Sequence, residues 1–195
     1  MRGFLAWAGA VLVGLALGAG SAWLALDAGR GAFVEHLGPW SWSRTTGSID
    51  AGPYTRAIVA RDALLALSAE EALYFTLDHD ENNRPLQESC VYEISGGAIP
   101  ARWWSVTLYA RDNFLAQNDD HAYSIDSTHA DLDANGRWTG RIAPVRGEAP
   151  LWISSRGARR GFSLTLRAYN PDDGFPRETG QLPSLRTLSC PDAPT

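Results

Sequence analysis

The sequence predicts a mainly β domain, a sandwich or a barrel, carried behind one N-terminal membrane helix. Three observations predict it. Gly3 to Leu26 holds no charged residue, and at about 1.5 Å per residue it is long enough to cross a hydrocarbon core of about 30 Å. Farther along, apolar and polar residues alternate at strand period: Trp104, Val106 and Leu108 against Trp103, Ser105, Thr107 and Tyr109, then Phe162, Leu164, Leu166 and Ala168 as the inward set of a later segment. Glycine, proline or Asn-Gly falls between most such segments, as in a sandwich or barrel.

The opening run reads as an anchor over residues 1–26. Arg2 precedes it and Asp27 follows, so the positive-inside rule leaves the N-terminus in the cytoplasm and sends the rest across the membrane. Trp7 and Trp23 sit near its ends, where indole rings favour the interface. The alternative is a cleaved signal peptide, because Ala19-Gly20-Ser21 has small residues at peptidase spacing, although the apolar run continues through Trp23 to Leu26. In either case the body of the chain is exported. The expectation is a single-pass inner-membrane protein, held through residues 4–26, with its C-terminal domain in the periplasm.

What remains allows one domain of about 150 residues, a size that buries roughly two-thirds of its unfolded surface. Eight tryptophans among the 195 residues argue for a packed core and against disorder. The net charge of −5 speaks against nucleic-acid binding, which needs a basic field to displace counterions from phosphates. All seventeen basic residues are arginine, a bias of composition before it is a functional signal.

Residues 27–52 read as a linker hugging the domain, pinned by Trp40 and Trp42, and residues 53–195 as the β domain. Pro53 opens a helix to about Leu67, with Ala57, Ile58, Leu64 and Leu65 on one face and Arg56, Arg61 and Asp62 on the other. Ser68-Ala69-Glu70-Glu71 matches a capping box and predicts a second short helical turn. Leu73–Leu77 and Glu88–Ser95 read as a hairpin. Arg102–Ala110, Tyr123–Ile125, Trp138–Ile142, Leu151–Ser154 and Phe162–Tyr169 are further strands, and the tail from Asn170 is turn-rich. Cys90 and Cys190 suit a disulfide in an oxidising compartment; two buried free thiols are the alternative. Neither cysteine has CxxC or zinc-type spacing.

The segment Arg102-Trp103-Trp104-Ser105-Val106-Thr107-Leu108-Tyr109, followed by Asn118, Tyr123-Ser124 and Arg167-Ala168-Tyr169-Asn170-Pro171, resembles the bacterial domain of unknown function 1214 over about Glu71 to Pro183. The resemblance implies a jelly-roll-like antiparallel β-sandwich and no established reaction. In many relatives this domain follows the domain of unknown function 1254; here a membrane anchor stands in that place. Relatives also carry an Asn-Trp-Leu-Pro-type segment before the last core strand, where this chain has Ser155-Arg156-Gly157-Ala158-Arg159-Arg160.

No chemical constellation stands clear of its plainer reading. Asp131-Leu132-Asp133-Ala134-Asn135-Gly136 matches half of an EF-hand loop, but position twelve is Ile142, and an Asn-Gly hairpin turn explains it better. Asp78-His79-Asp80-Glu81-Asn82 is weaker still. His36, His79, His121 and His129 lack HxH or HExxH spacing, so neither a metal nor a cofactor is expected, even though Asp119, Asp120, Asp126 and Asp131 crowd the stretch around His121 and His129. Ser105 or Ser124 could join a hydrolytic triad only without a GxSxG elbow. Arg156, Arg159 and Arg160 read as a solvated turn that could meet anionic lipid.

The most informative set is Trp103, Ser105, Tyr109, Tyr123, Arg167 and Tyr169. If their strands adjoin, an arginine framed by aromatics could bind a carboxylate, phosphate or sugar. The plainer alternative packs this row against the helix or second sheet and pairs Arg102 or Arg167 with an acid. The resulting expectation is an envelope domain that binds a partner protein or small ligand; the alternative is an enzyme, or enzyme subunit, acting on a small anionic or sugar-like substrate.

Overall fold

The computed structural model describes residues 2–28, 34–48, 50–61, 67–159 and 161–191. Gly29 and Gly31 of the expected linker, Asp62, Leu64 and Leu65 of the expected helix, and Arg160 lie outside these residues. A helix, α1 (Arg2–Ala28), opens the chain. Its Gly3–Ala25 portion is long and apolar enough to cross a membrane, and Phe4, Trp7, Leu12, Leu17 and Trp23 are exposed on it rather than buried in the domain.

The domain comprises β1 (Glu35–Leu37), β2 (Trp40–Trp42), α2 (Pro53–Arg61), β3 (Ala72–Leu77), β4 (Val91–Gly96), β5 (Ala101–Ala110), β6 (Ser124–Asp126), β7 (Trp138–Ala143), β8 (Leu151–Ser154), β9 (Phe162–Pro171) and β10 (Ser184–Ser189). One sheet runs β1-β2-β3-β9-β5-β6 and the other β10-β4-β7-β8. The chain passes between the sheets after β3, β4, β6, β8 and β9, giving a jelly-roll-like sandwich.

β5 turns Trp104, Val106 and Leu108 to the core as expected, although Ser105 and Thr107 between them are buried as well. Trp104, Val106 and Leu108 are buried against the second sheet, with the Trp104 ring stacked on Trp138 of β7 at 4.8 Å. Phe162, Leu164, Leu166 and Ala168 of β9 join them, and Tyr92 of β4 meets Phe162 edge-on at 5.9 Å. The space between the sheets is filled by these residues together with Phe75, Ile94, Ile142 and Ile153. Cys90 and Cys190 form a disulfide that ties the chain beyond β10 to the start of β4.

Several elements differ from the sequence expectation. β3 and β4 do not form a hairpin: β3 pairs with β2 and β9, and β4 with β10 and β7. The connection between them crosses the sandwich, with Leu86 and Cys90 fully buried along it. Not every pair is antiparallel, because β8 runs parallel to β7. The 144–150 segment folds back there, with Gly147 close against the Arg141 guanidinium. The stretch read as linker contains β1 and β2, and Trp40 and Trp42 pin it as expected; Trp42 stacks on Phe75 at 5.5 Å. α2 is described to Arg61, and Ser68–Glu71 forms the short turn expected before β3, with the Glu71 and Ala72 N–H groups donating to the Ser68 carbonyl. The turn-rich tail from Asn170 also carries a strand not expected from the sequence, β10.

Candidate functional site

Strand register decides which side chains share the outer face of the six-stranded sheet. One row across β2, β3, β9, β5 and β6 reads Ser41, Thr76, Thr165, Thr107 and Ser124, every one a hydroxyl residue. The adjoining row is Tyr74, Arg167, Ser105 and Asp126. Beyond it Ala72, Tyr169 and Trp103 lie opposite one another. On the other side of the hydroxyl row, Tyr109 faces Ser163.

Arg167 and Tyr109 therefore start about 13 Å apart along the strands, one row to either side of the hydroxyl row. They reach toward each other across it. Arg167 Nη2 donates to Tyr109 Oη at 2.8 Å, and the guanidinium carbon lies 5.1 Å from the Tyr109 ring centre. This bridge passes over Thr165 and Thr107, which explains why they are 7% and 9% exposed although they face away from the core. Among the described residues, the Ser105, Thr107 and Thr165 hydroxyls make no hydrogen bond, yet none is sealed from solvent; the buried side-chain polar atom left without a partner is Arg141 Nε. Neither Arg167 nor Arg102 pairs with a carboxylate among the described residues, contrary to the plainer alternative above.

Trp103 is held at one edge of this face. Its Nε1 donates to Thr128 Oγ1 at 3.0 Å, its ring tilts against Tyr169 at 5.4 Å, and it remains 37% exposed. Asp126 accepts from the Thr128 N–H at 2.8 Å and contacts His129 Nδ1 at 3.0 Å. Its burial opposes ionisation, but the Thr128 N–H and His129 outweigh that and hold its pKa below the ordinary value.

Five of the six expected residues thus come together: Trp103, Ser105, Tyr109, Arg167 and Tyr169. Tyr123 does not join them. It falls one residue before Ser124 and so takes the opposite side of the alternation, and its hydroxyl donates to the Asn118 carbonyl at 3.0 Å. The hydroxyl row was not expected from sequence; its members are spread from residue 41 to residue 165, and register alone aligns them.

The other constellations resolve into structural roles. Asp133 accepts from the Asn135 and Arg137 N–H groups, so the Asp131–Gly136 stretch is a turn. Asp80 accepts from the Asn82 and Arg84 N–H groups and the Arg84 guanidinium, which closes the Asp78–Asn82 turn. Among the described residues, no group of three or more His, Cys, Asp or Glu side chains is placed to hold a metal. Ser105 lies opposite Asp126, and His129 contacts the same carboxylate, but Ser105 is not hydrogen-bonded to His129, so no relay from serine through histidine forms.

The loop that departs from the family pattern is clamped from two sides. Asp120 accepts from Ser154 Oγ at 2.6 Å and from the Arg156 guanidinium. Glu88 accepts from the Gly157 N–H at 3.0 Å and the Arg159 N–H at 2.5 Å, and Asn118 Nδ2 donates to the Arg156 carbonyl at 2.7 Å. A shallow cleft of about 300 Å³ lies beside it, lined by Gln87, Glu88, Ser89, Pro144 and Arg159; another of about 220 Å³ lies between Pro100 and Arg177. Neither includes the aromatic and arginine face.

Residues 71–173, more than half of the chain, match the family described as a protein of unknown function, DUF1214. The chain belongs to the DUF1214 family. The match spans β3 to β9 and thus holds Trp103, Ser105, Tyr109, Arg167 and Tyr169, while β1, β2 and β10 fall outside it. Among solved structures, the VPA0106 protein of Vibrio parahaemolyticus is similar, with a TM-score of 0.59 and 25% identity over 72% of this chain and 36% of that one. An uncharacterised protein of Burkholderia cenocepacia has a TM-score of 0.47 and 18% identity over 60% of this chain and 30% of its own. This DUF1214 chain therefore spans about a third of the length of the structures it matches. No curated protein matches it.

Proposed function

We propose that this DUF1214 protein is a periplasmic recognition domain, held at the inner membrane by α1 as an uncleaved signal-anchor, and that it binds through the outer face of its six-stranded sheet. The observation that carries the reading is Arg167: a half-buried guanidinium on a sheet face, matched by the neutral Tyr109 hydroxyl instead of a carboxylate. Holding an arginine there with no counter-ion among the described residues has an electrostatic cost that an incoming anionic or polar ligand would offset. The filled apolar interior supports recognition on a surface over chemistry in an internal cavity. The uncharged span of α1 and the disulfide support export and anchoring.

Two experiments test the two halves of the reading. Alkaline phosphatase fused after Ala28 is expected to be active, and an inactive fusion would reverse the orientation. Benzoylphenylalanine placed at Tyr169 and irradiated in growing cells is expected to give a discrete intermolecular adduct that the same group at exposed Leu132 does not; equal yields from both positions, or none from Tyr169, would contradict the assignment of the face.

A further inference from the structure

We infer that the ligand of this face is an acidic saccharide, its carboxylate held by Arg167 and a sugar ring laid against Trp103 and Tyr169; the inference rests on the reading of the face as the recognition surface. Three features of different chemistry lie on this one face. The first is charge. Arg167 spends one N–H on Tyr109 and retains donors that no described carboxylate takes up. Among the described residues of these strands, the carboxylate on the face is Asp126, which lies two strands away, about 10 Å by strand spacing, and is engaged by Thr128 and His129. A planar carboxylate suits a guanidinium edge because two parallel N–H···O bonds can form.

The second feature is the row of five hydroxyl residues. Adjacent members stand about 4.8 Å apart, so the row extends about 19 Å across the sheet. A hydroxyl both donates and accepts, and so do the hydroxyls of a sugar. Among the described residues the Thr76 and Ser124 hydroxyls of this row make no hydrogen bond and are open to solvent, whereas Thr107 and Thr165 lie buried under the Arg167–Tyr109 bridge. A protein surface would need apolar contact to displace water from such a row, whereas a polyol replaces water hydrogen bonds with equivalent ones.

The third is the tilted pair Trp103 and Tyr169 one row beyond Arg167. Its indole N–H is already used by Thr128, which fixes the ring and leaves its surface as the exposed part. An aromatic surface buries the C–H face of a sugar with little loss of side-chain freedom. A free small acid would use Arg167 alone, and a neutral glycan the hydroxyls and rings alone; the combination selects a chain that has both.

The test is titration calorimetry of the full chain in detergent micelles, with tetragalacturonate as probe, cellotetraose as the neutral control and acetate as the bare carboxylate. Tetragalacturonate is expected to bind saturably and at least ten-fold more tightly than either control. R167M is expected to lower its affinity ten-fold or more, and W103A to lower it several-fold while keeping the circular dichroism spectrum of the unaltered protein. Absence of saturable binding, equal affinity for cellotetraose or acetate, or unchanged affinity in folded W103A and R167M would overturn the inference. If the cross-link at position 169 persists while the titration is flat, the face recognises something other than an acidic sugar; if both fail, the reading of the face fails with it.

Discussion

Arg167 and Tyr109 meet over the middle of the six-stranded sheet, guanidinium over ring at 5.1 Å and Nη2 to Oη at 2.8 Å. The contact orients the guanidinium without neutralising it, because a phenol accepts a hydrogen bond but carries no charge. Tyr109→Phe keeps the ring and removes the acceptor. It is expected to cost about 1 kcal/mol in urea unfolding, the usual net contribution of one hydrogen bond. A loss above about 3 kcal/mol would place Tyr109 in the core rather than on this face.

Trp104 is one residue from the exposed Trp103 and has the opposite fate, at 5% exposure and stacked on Trp138. Trp104→Ala empties the contact that joins the sheets and is expected to cost about 3–5 kcal/mol. Denaturant unfolding checks this, and a near-neutral change would reverse the faces of β5.

The clamped loop turns at Gly157, whose φ of +80° is left-handed. A Cβ there would also press on the Gln117 carbonyl, a backbone atom that cannot rotate away. Gly157→Ala is expected to lose more than Gly136→Ala, where φ is +71° but the space is open and only the conformational cost of about 1–2 kcal/mol applies. Equal losses would mean that the loop gives way freely.

Asp120 is the pH-sensitive part of that clamp. The Ser154 hydroxyl, and after it Arg156, lower its pKa from the ordinary 3.8. A carboxyl depressed in the folded state adds stability above its unfolded pKa and loses it as pH falls through the folded value. Asp80, Asp126 and Asp133 are lowered too. Unfolding free energy is therefore expected to fall as pH drops from about 5 to 2, and Asp120→Asn to flatten part of that slope. An unchanged slope in the variant would show that Asp120 does not titrate against this network.

How much of this was legible in the sequence depends on whether the signal is local. The run from Gly3 to Leu26 and the alternation of β5 and β9 are properties of single segments, and they carried over. Pairing is not local. β3 followed by β4 has the pattern of a hairpin, and only the burial of Leu86 and Cys90 along the connection shows that the chain crosses between sheets. β1 and β2 have three residues each, too few for a period to show, and β10 is half-exposed with Leu185 its one buried apolar residue. The same distinction holds for the site. Trp103, Ser105 and Tyr109 lie on one strand, and Arg167 and Tyr169 on its neighbour, so alternation plus one pairing unites them. Tyr123 and the hydroxyl row depend on register between distant segments, which composition does not encode.

Oxidation of Trp103 and Trp104 in the purified protein tests the central partition most directly. Brief exposure to hydroxyl radicals, read by mass spectrometry of the β5 peptide, is predicted to modify Trp103 and leave Trp104 intact until the protein unfolds. Trp104 reacting as fast as Trp103, or faster, would contradict a sheet that turns Trp104 to the core and offers Trp103, with Arg167 beside it, to a ligand.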